Sequence, residues 1–130
     1  MEHYLDNSAT TRVLDAAAQK ALFLMTEEYG NPSSLHTRGF RAKCELEDAR
    51  EILANSLGAE PAELYFTSGG TESDNMALIG CARANARRGK HLITTQIEHP
   101  AVLNTMHYLE SVGYHVTYLP VDACGRISLE

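Results

Sequence analysis

At 130 residues, 44% hydrophobic and 22% charged, the chain has the make-up of one small soluble globular domain able to bury a core. Its net charge of −6 argues against nucleic acid or an anionic membrane as main partner, while a small anionic ligand stays open wherever the site is locally positive. The three cysteines, Cys44, Cys81 and Cys124, lie far apart with no C-x-x-C pair, which fits neither a disulfide framework nor a zinc site and points to a reducing compartment.

The opening residues Met1 to Asp6 are acidic and carry no apolar signal-peptide core, and no run reaches the ~18 apolar residues of a membrane span. A cytoplasmic location is expected. Tyr4 to Thr11 is a short extended opening followed by small polar residues that favour turns, and by itself it reads as an N-terminal arm. A helix is expected over 13–29, with Leu14, Ala17, Ala18, Ala21, Leu22 and Met25 on one apolar stripe and Gly30 ending it. Tyr29 to His36 is dense in turn residues, and Pro32 excludes helical backbone at Asn31. Such a loop is usually only a connector.

A second helix is expected from about Gly39 to Leu57, with Ala42, Leu46, Ala49, Leu53 and Leu57 on one face and Gly58 as its C-cap. Residues 63–66 read as a short strand, and they run into Phe66-Thr67-Ser68-Gly69-Gly70-Thr71-Glu72-Ser73. There glycines bend the chain and a helix begins, expected to be apolar nearly all round through Met76, Leu78, Ile79 and Cys81 and to reach about Arg87. Thr71 is expected to cap it, with Asp74 completing a capping-box-like pair. Glycines that let backbone approach a ligand, first-turn N–H groups and the positive end of the helix dipole together make a cup for an anion such as phosphate. On this stretch alone, an ordinary glycine turn with an N-cap is the simpler reading. Neither Gly-Lys-Ser/Thr nor G-x-G-x-x-G spacing is present, so the two better-known nucleotide loops are set aside.

Arg87 to Lys90 is a basic turn, most simply solvated charge near a helix C-terminus. His91 to Thr95 reads as a strand, and Pro100 stands at the first position of a helix that turns Val102, Met106, Leu109 and Val112 inward and stops at Gly113. Glu98 and His99 therefore lie at a strand-to-helix corner. His115 to Leu119 reads as another strand, and Asp122 to Gly125 as a turn. Strands alternating with helices predict an α/β sheet with parallel neighbours and ligands beyond the strands' C-terminal ends, which puts the glycine loop and His99 on one rim. The six histidines show no ligand spacing such as H-x-x-x-H. The last residues look like the entry to a further element, as in an N-terminal piece of a larger protein.

Four segments now stand in order: Leu5-Asp6-Asn7-Ser8-Ala9-Thr10-Thr11, Gly30-Asn31-Pro32-Ser33-Ser34-Leu35-His36, Phe66-Thr67-Ser68-Gly69-Gly70-Thr71-Glu72-Ser73-Asp74-Asn75 and Glu98-His99-Pro100-Ala101-Val102. Together they resemble the N-terminal third of the NifS/IscS-type cysteine desulfurases, class V aminotransferase-like enzymes that depend on pyridoxal phosphate. The resemblance implies a partial three-layer α/β sheet of the fold type I large domain over 13–130, incomplete in this chain, with residues 1–12 belonging to the small domain. It implies pyridoxal 5'-phosphate as cofactor, its phosphate at Gly70 and Thr71, and His99 stacked on the pyridine ring and moving protons. Ala9, Thr10, Asn31 and His36 match segments beside the substrate pocket. The implied reaction converts L-cysteine to L-alanine and passes sulfur as a persulfide to an iron–sulfur scaffold or another acceptor, in a homodimer. The lysine that holds the resting cofactor, the attacking cysteine and the aspartate paired with the pyridine nitrogen match no residue here: Lys20, Lys43, Lys90, Cys44, Cys81, Cys124 and Asp122 all stand elsewhere, Cys81 most simply as a small core residue. The chain alone is therefore expected to be inactive. A related lyase or transaminase, such as one acting on selenocysteine, is the alternative within the family. A non-catalytic short protein keeping a phosphate-binding or dimerisation surface is the alternative outside it.

Overall fold

A computed structural model describes residues 3–128. They form two compact units that divide between Tyr65 and Phe66.

The first unit holds two helices. α1 spans Asp15–Thr26, shorter at both ends than the apolar stripe predicts. Its last turn closes before Gly30 because Thr26 Oγ1 donates back to the Leu22 carbonyl (2.9 Å) and the Glu27 and Glu28 amides both donate to the Phe23 carbonyl. The expected stripe stays largely exposed, with no buried residue in α1. α2 spans Thr37–Leu57, beginning two residues before Gly39, and buries Gly39, Ala42 and Ala54. Leu53 and Leu57 are exposed rather than inward. Gly58 ends the helix as predicted, in a left-handed conformation (φ 66°) that costs glycine little. Lys20 of α1 pairs with Glu45 of α2 at 2.5 Å, and Arg41 of α2 pairs with Glu28, just beyond the end of α1, at 3.2 Å.

The strand expected at 63–66 does not form. Pro61–Glu63 is a 3-10 turn closed by the reciprocal bonds of Glu60 and Glu63, with Pro61 at its start. Beyond it the Leu64 backbone is extended and its carbonyl accepts from the Arg50 guanidinium, a side-chain bond where a strand would have a ladder. A strand needs a neighbour to stabilise it, and 64–66 join no sheet among the described residues.

The second unit runs α3 (Gly70–Ala84), β1 (His91–Thr95), α4 (Pro100–Ser111) and β2 (His115–Leu119). The two strands have the predicted bounds and pair in parallel, His91 opposite His115 through Thr95 opposite Leu119, with α4 as the crossover. Pro100 is the first residue of α4, where its missing N–H leaves no bond unmade. Ala82, Met106, Leu109 and Val116 form the core, flanked by Leu78, Ile79, Leu92, Val102, Tyr114 and Tyr118. Tyr114 closes it by donating its hydroxyl to the Ala82 carbonyl at 2.9 Å. Two expectations are corrected. α3 stops at Ala84 and is amphipathic, with Met76 48% exposed and only Ala82 fully buried. Val112 is the exposed C-cap of α4, not a core residue. On the sheet face away from this core, Ile93 is 62% exposed.

Candidate functional site

α3 and α4 run side by side in the same direction. Thr105 Oγ1 lies 2.7 Å from Asn75 Oδ1, joining the sixth residue of α3 (Gly70 to Asn75) to the sixth of α4 (Pro100 to Thr105). Farther along, Arg83 Nη2 donates to the Tyr108 hydroxyl at 2.9 Å. Both helices thus begin at the same end of the unit, the end at which β1 delivers the chain through residues 96–99 into α4. That end is the rim beyond the C-terminal edge of a parallel sheet, where α/β proteins bind ligands.

At the rim, α3 starts two residues earlier than the Thr71 cap predicts. Gly69 is the N-cap, Gly70 and Thr71 are in the first turn, and Ser73 N already donates to the Gly69 carbonyl at 3.1 Å. The reciprocal partner is not Asp74. The Glu72 carboxylate instead takes the Ser68 amide and the Ser68 hydroxyl, each at 2.7 Å, and Thr67 Oγ1 bonds Ser73 Oγ at 2.6 Å. These two donors hold the Glu72 carboxyl below the usual carboxylate range. The loop is thereby cinched onto the helix by side chains, and the first-turn amides of Gly70 and Thr71 remain as donors at the positive helix end. A Cβ built on Gly69 or Gly70 meets nothing within 4 Å, so the space over the loop is open. Such a cup fits a phosphate held by backbone N–H groups, with the Glu72 charge kept busy by Ser68.

His99 is the N-cap of α4, and its Nδ1 accepts from Ala101 N at 3.1 Å. In the neutral ring the proton then sits on Nε2, so the atom left for a ligand is an N–H donor. Beside it, Thr95 Oγ1 donates to Glu98 Oε1 at 2.9 Å, fixing the corner.

His36 repeats this arrangement in the first unit. It is the N-cap of α2, Nδ1 accepting from Gly39 N at 3.3 Å, and its neutral form also carries the proton on Nε2. Asn31 Oδ1 accepts from Ser33 N at 2.9 Å, which leaves the amide NH2 as the free end of that side chain. The loop between them is doubled back on α2. A Cβ on Gly30 would stand 2.3 Å from the Arg38 carbonyl oxygen, and one on Gly39 2.3 Å from that of Ser34 and 2.8 Å from that of Asn31. Arg38 donates to the Glu27 carbonyl at 2.9 Å and stacks on Tyr29 at 4.8 Å, closing the loop from the other side. Alongside lies an open cleft of about 460 Å³ lined by Pro32, Ser34, Leu35, Phe40, Lys43 and Glu47, among others. Ala9 and Thr10 sit in a turn, both amides donating to the Asp6 carbonyl (3.1 and 3.3 Å), and are exposed.

Of the residues singled out in the sequence, the structure thus gathers Gly70, Thr71 and His99 at one rim of the second unit, while Ala9, Thr10, Asn31 and His36 belong to the first. Sequence reading gave no role to Glu72, Asn75, Thr105 or Arg38. Thr105 carried a signal: a hydroxyl on the face of Val102, Met106 and Leu109, 2% exposed in the structure. Cys81 is exposed, as are Cys44 and Cys124, so the core role expected of Cys81 is corrected. The fold also brings His91 and His115 together across the strands, rings 4.9 Å apart, which no sequence spacing shows; His91 Nε2 bonds Thr117 Oγ1 at 2.8 Å.

A family model described as aminotransferase class-V matches residues 3–130. The cysteine desulfurase IscS of Methanosarcina thermophila is 54% identical over 125 residues, covering 96% of this chain and 31% of that protein. Among solved structures, a NifS-like protein is similar at 46% identity and TM-score 0.87 over 99% of this chain and 35% of its own. A second, described as SspA in complex with cysteine, is similar at 41% identity and TM-score 0.81, over 93% of this chain and 35% of its own. The chain therefore spans about a third of the length of the relatives it matches. Its parallel α/β architecture is the one these structures share over the matched residues, as the four sequence segments imply. On the family model and these identities, the chain belongs to the class V aminotransferase family.

Proposed function

We propose that the chain is the N-terminal part of a pyridoxal-phosphate-dependent cysteine desulfurase, which converts L-cysteine to L-alanine and hands the sulfur on as a persulfide for iron–sulfur or thio-cofactor assembly. The observation that carries this reading is the common rim of α3 and α4, where the Gly70–Thr71 first turn and His99 begin side by side. Residues 1–12 belong with the small domain and 13–130 with the large one, and the working enzyme is a cytoplasmic homodimer that delivers sulfur to an acceptor protein. The cofactor, when bound, supplies the electron sink for breaking the carbon–sulfur bond.

The chain's own residues supply position and protons. Gly70 and Thr71 hold the phosphate through backbone N–H groups and the helix dipole. His99, its Nδ1 engaged by Ala101 N, lies against the ring and moves protons through Nε2. Asn31 and His36 carry free N–H donors, and with Ala9 and Thr10 they are assigned to the segments that meet the substrate in the whole enzyme. No lysine here takes the cofactor's carbonyl: Lys20 and Lys43 lie on α1 and α2 and Lys90 in the turn before β1, so the 130-residue chain alone turns over no cysteine.

The test uses the chain as it is, titrated with pyridoxal 5'-phosphate and, in parallel, with pyridoxal, following the Gly70 and Thr71 amides and the His99 ring by NMR. Shifts at all three with the phosphate ester, and none at Gly70 and Thr71 with pyridoxal, are expected. Equal responses to both ligands, or none to either, overturn the reading. An absorbance band that survives dialysis and is fixed by borohydride overturns the assignment of the lysines.

A further inference from the structure

We propose that Asn75 and Thr105 are positioning residues that set the register of the phosphate cup against His99. The inference rests on the function proposed above. The two side chains form a continuous polar path between the first turns of two helices. Asn75 Nδ2 donates to the Thr71 carbonyl at 2.7 Å. Asn75 Oδ1 lies 2.7 Å from Thr105 Oγ1, whose single proton is shared between it and the Ala101 carbonyl, also at 2.7 Å. The Ala101 amide in turn donates to His99 Nδ1 at 3.1 Å. The outer ends of the path are backbone or ring atoms of Thr71, Ala101 and His99, residues in the site or next to it.

Apolar contacts from Ala82, Met106 and Leu109 already hold the helices together, but such contacts are non-directional and tolerate sliding. A polar pair whose threonine is only 2% exposed does not. Moving one helix by a single turn, about 5.4 Å, would strand the Asn75 amide and the Thr105 hydroxyl without each other. One hydrogen-bonding arrangement is thus selected out of several apolar ones, the use of buried polar groups best attested for fixing register. The placement matters because catalytic groups misplaced by about 1 Å lose about a hundredfold in rate. The strut therefore holds ring partner and phosphate cup at the fixed separation that a rigid planar cofactor requires.

The test is heteronuclear NMR on the 130-residue chain carrying Thr105→Val, Thr105→Ser or Asn75→Ala. Valine keeps the shape of threonine and removes the hydroxyl. The expected result is cross-helix: Thr105→Val moves the amides of Gly70 to Ser73 on α3, and Asn75→Ala moves the His99 ring nitrogens and the Ala101 amide on α4. Thr105→Ser, which restores the hydroxyl, leaves both sets at their wild-type positions. Shifts confined to the substituted helix overturn the proposal, because a side chain needed only for local packing would act there alone. Should Thr105→Val or Asn75→Ala fail to fold, wild type and Thr105→Ser decide it. NOEs between the Asn75 and Thr105 side chains in both support the strut, and their absence overturns it. Failure to bind pyridoxal phosphate would refute the proposed function and leave these cross-helix shifts unaffected, so the two can fail separately.

Discussion

One substitution, glycine to alanine, should have opposite signs in two helices of this chain. Gly39 and Gly80 are both helical, in α2 and α3. At Gly80 an added Cβ meets nothing within 4 Å, so Gly80→Ala should stabilise α3 by about 0.5–1 kcal/mol through the backbone entropy glycine loses on folding. At Gly39 the same methyl falls 2.3 Å from the Ser34 carbonyl oxygen, 2.7 Å from Ser34 Cβ and 2.8 Å from the Asn31 carbonyl oxygen. Two of the three obstacles are backbone, so no side-chain rotation relieves them and the 31–34 loop has to swing away. Such overpacking costs about 1–3 kcal/mol. The displaced loop also loosens His36, and a lost N-cap adds about 0.5–2 kcal/mol. Against the ~1 kcal/mol gained in helix propensity, Gly39→Ala should come out destabilising by roughly 0.5–4 kcal/mol. Because the chain has two compact units, the measurement should be residue-resolved: amide exchange in increasing urea, read separately over α2 and α3. Faster exchange in α2 for Gly39→Ala and slower exchange in α3 for Gly80→Ala are expected. If Gly39→Ala slows exchange in α2, the close approach of the loop to the helix is wrong, and with it the account of how Asn31 and His36 are held.

Three further outcomes follow from the electrostatics and exposure. Ser68→Ala should raise the Glu72 pKa only part of the way toward its ordinary 4.5, because it removes the Ser68 hydroxyl while the larger cause of the lowering, the Ser68 backbone N–H, stays in place; carboxyl carbon shifts against pH measure it. A folded-state pKa depressed below the unfolded one gives stability that is present above the unfolded value and lost as pH falls through the folded one, so the α3 cinch should open only in acid. Tyr118 is pushed up to about 12, by burial first and by the Glu110 carboxylate second. Glu110→Gln should lower that value in an ultraviolet titration, and the stability it reports is full below the unfolded pKa and lost as pH rises through about 12. Finally, a thiol reagent should titrate Cys44, Cys81 and Cys124 in the native chain without denaturant, because all three are exposed; protection of Cys81 alone would restore its expected core role.

The second unit was the more legible half of the sequence. His91–Thr95 and His115–Leu119 are strands with the predicted bounds because β-branched runs bordered by Pro100 and Gly113 leave little alternative. Residues 63–66 had the same apolar look and formed no strand, since a strand is decided by its neighbour, which composition does not reveal, whereas Pro61 and the Glu60–Glu63 pair act locally. Helix starts were misjudged for α1, α2 and α3: Leu14 and His36 are not side chains that favour a cap, and Gly69 took the place expected of Thr71; Pro100 marked the start of α4 correctly, with His99 as its cap. The site motifs were visible as segments. What could not be read was the Asn75–Thr105 bond, which spans thirty residues of sequence and depends on how α3 and α4 align.

That His36 and His99 each begin a helix changes how either should be probed. Alanine at such a position deletes an imidazole and a helix cap at once, and a fall in activity would be credited to chemistry when part of it came from a frayed first turn. Asparagine is the cleaner exchange, because its side-chain oxygen can take over the bond from Gly39 N or Ala101 N while offering no titrating nitrogen. The difference between the asparagine and alanine variants then measures the cap, and the difference between histidine and asparagine measures the ring.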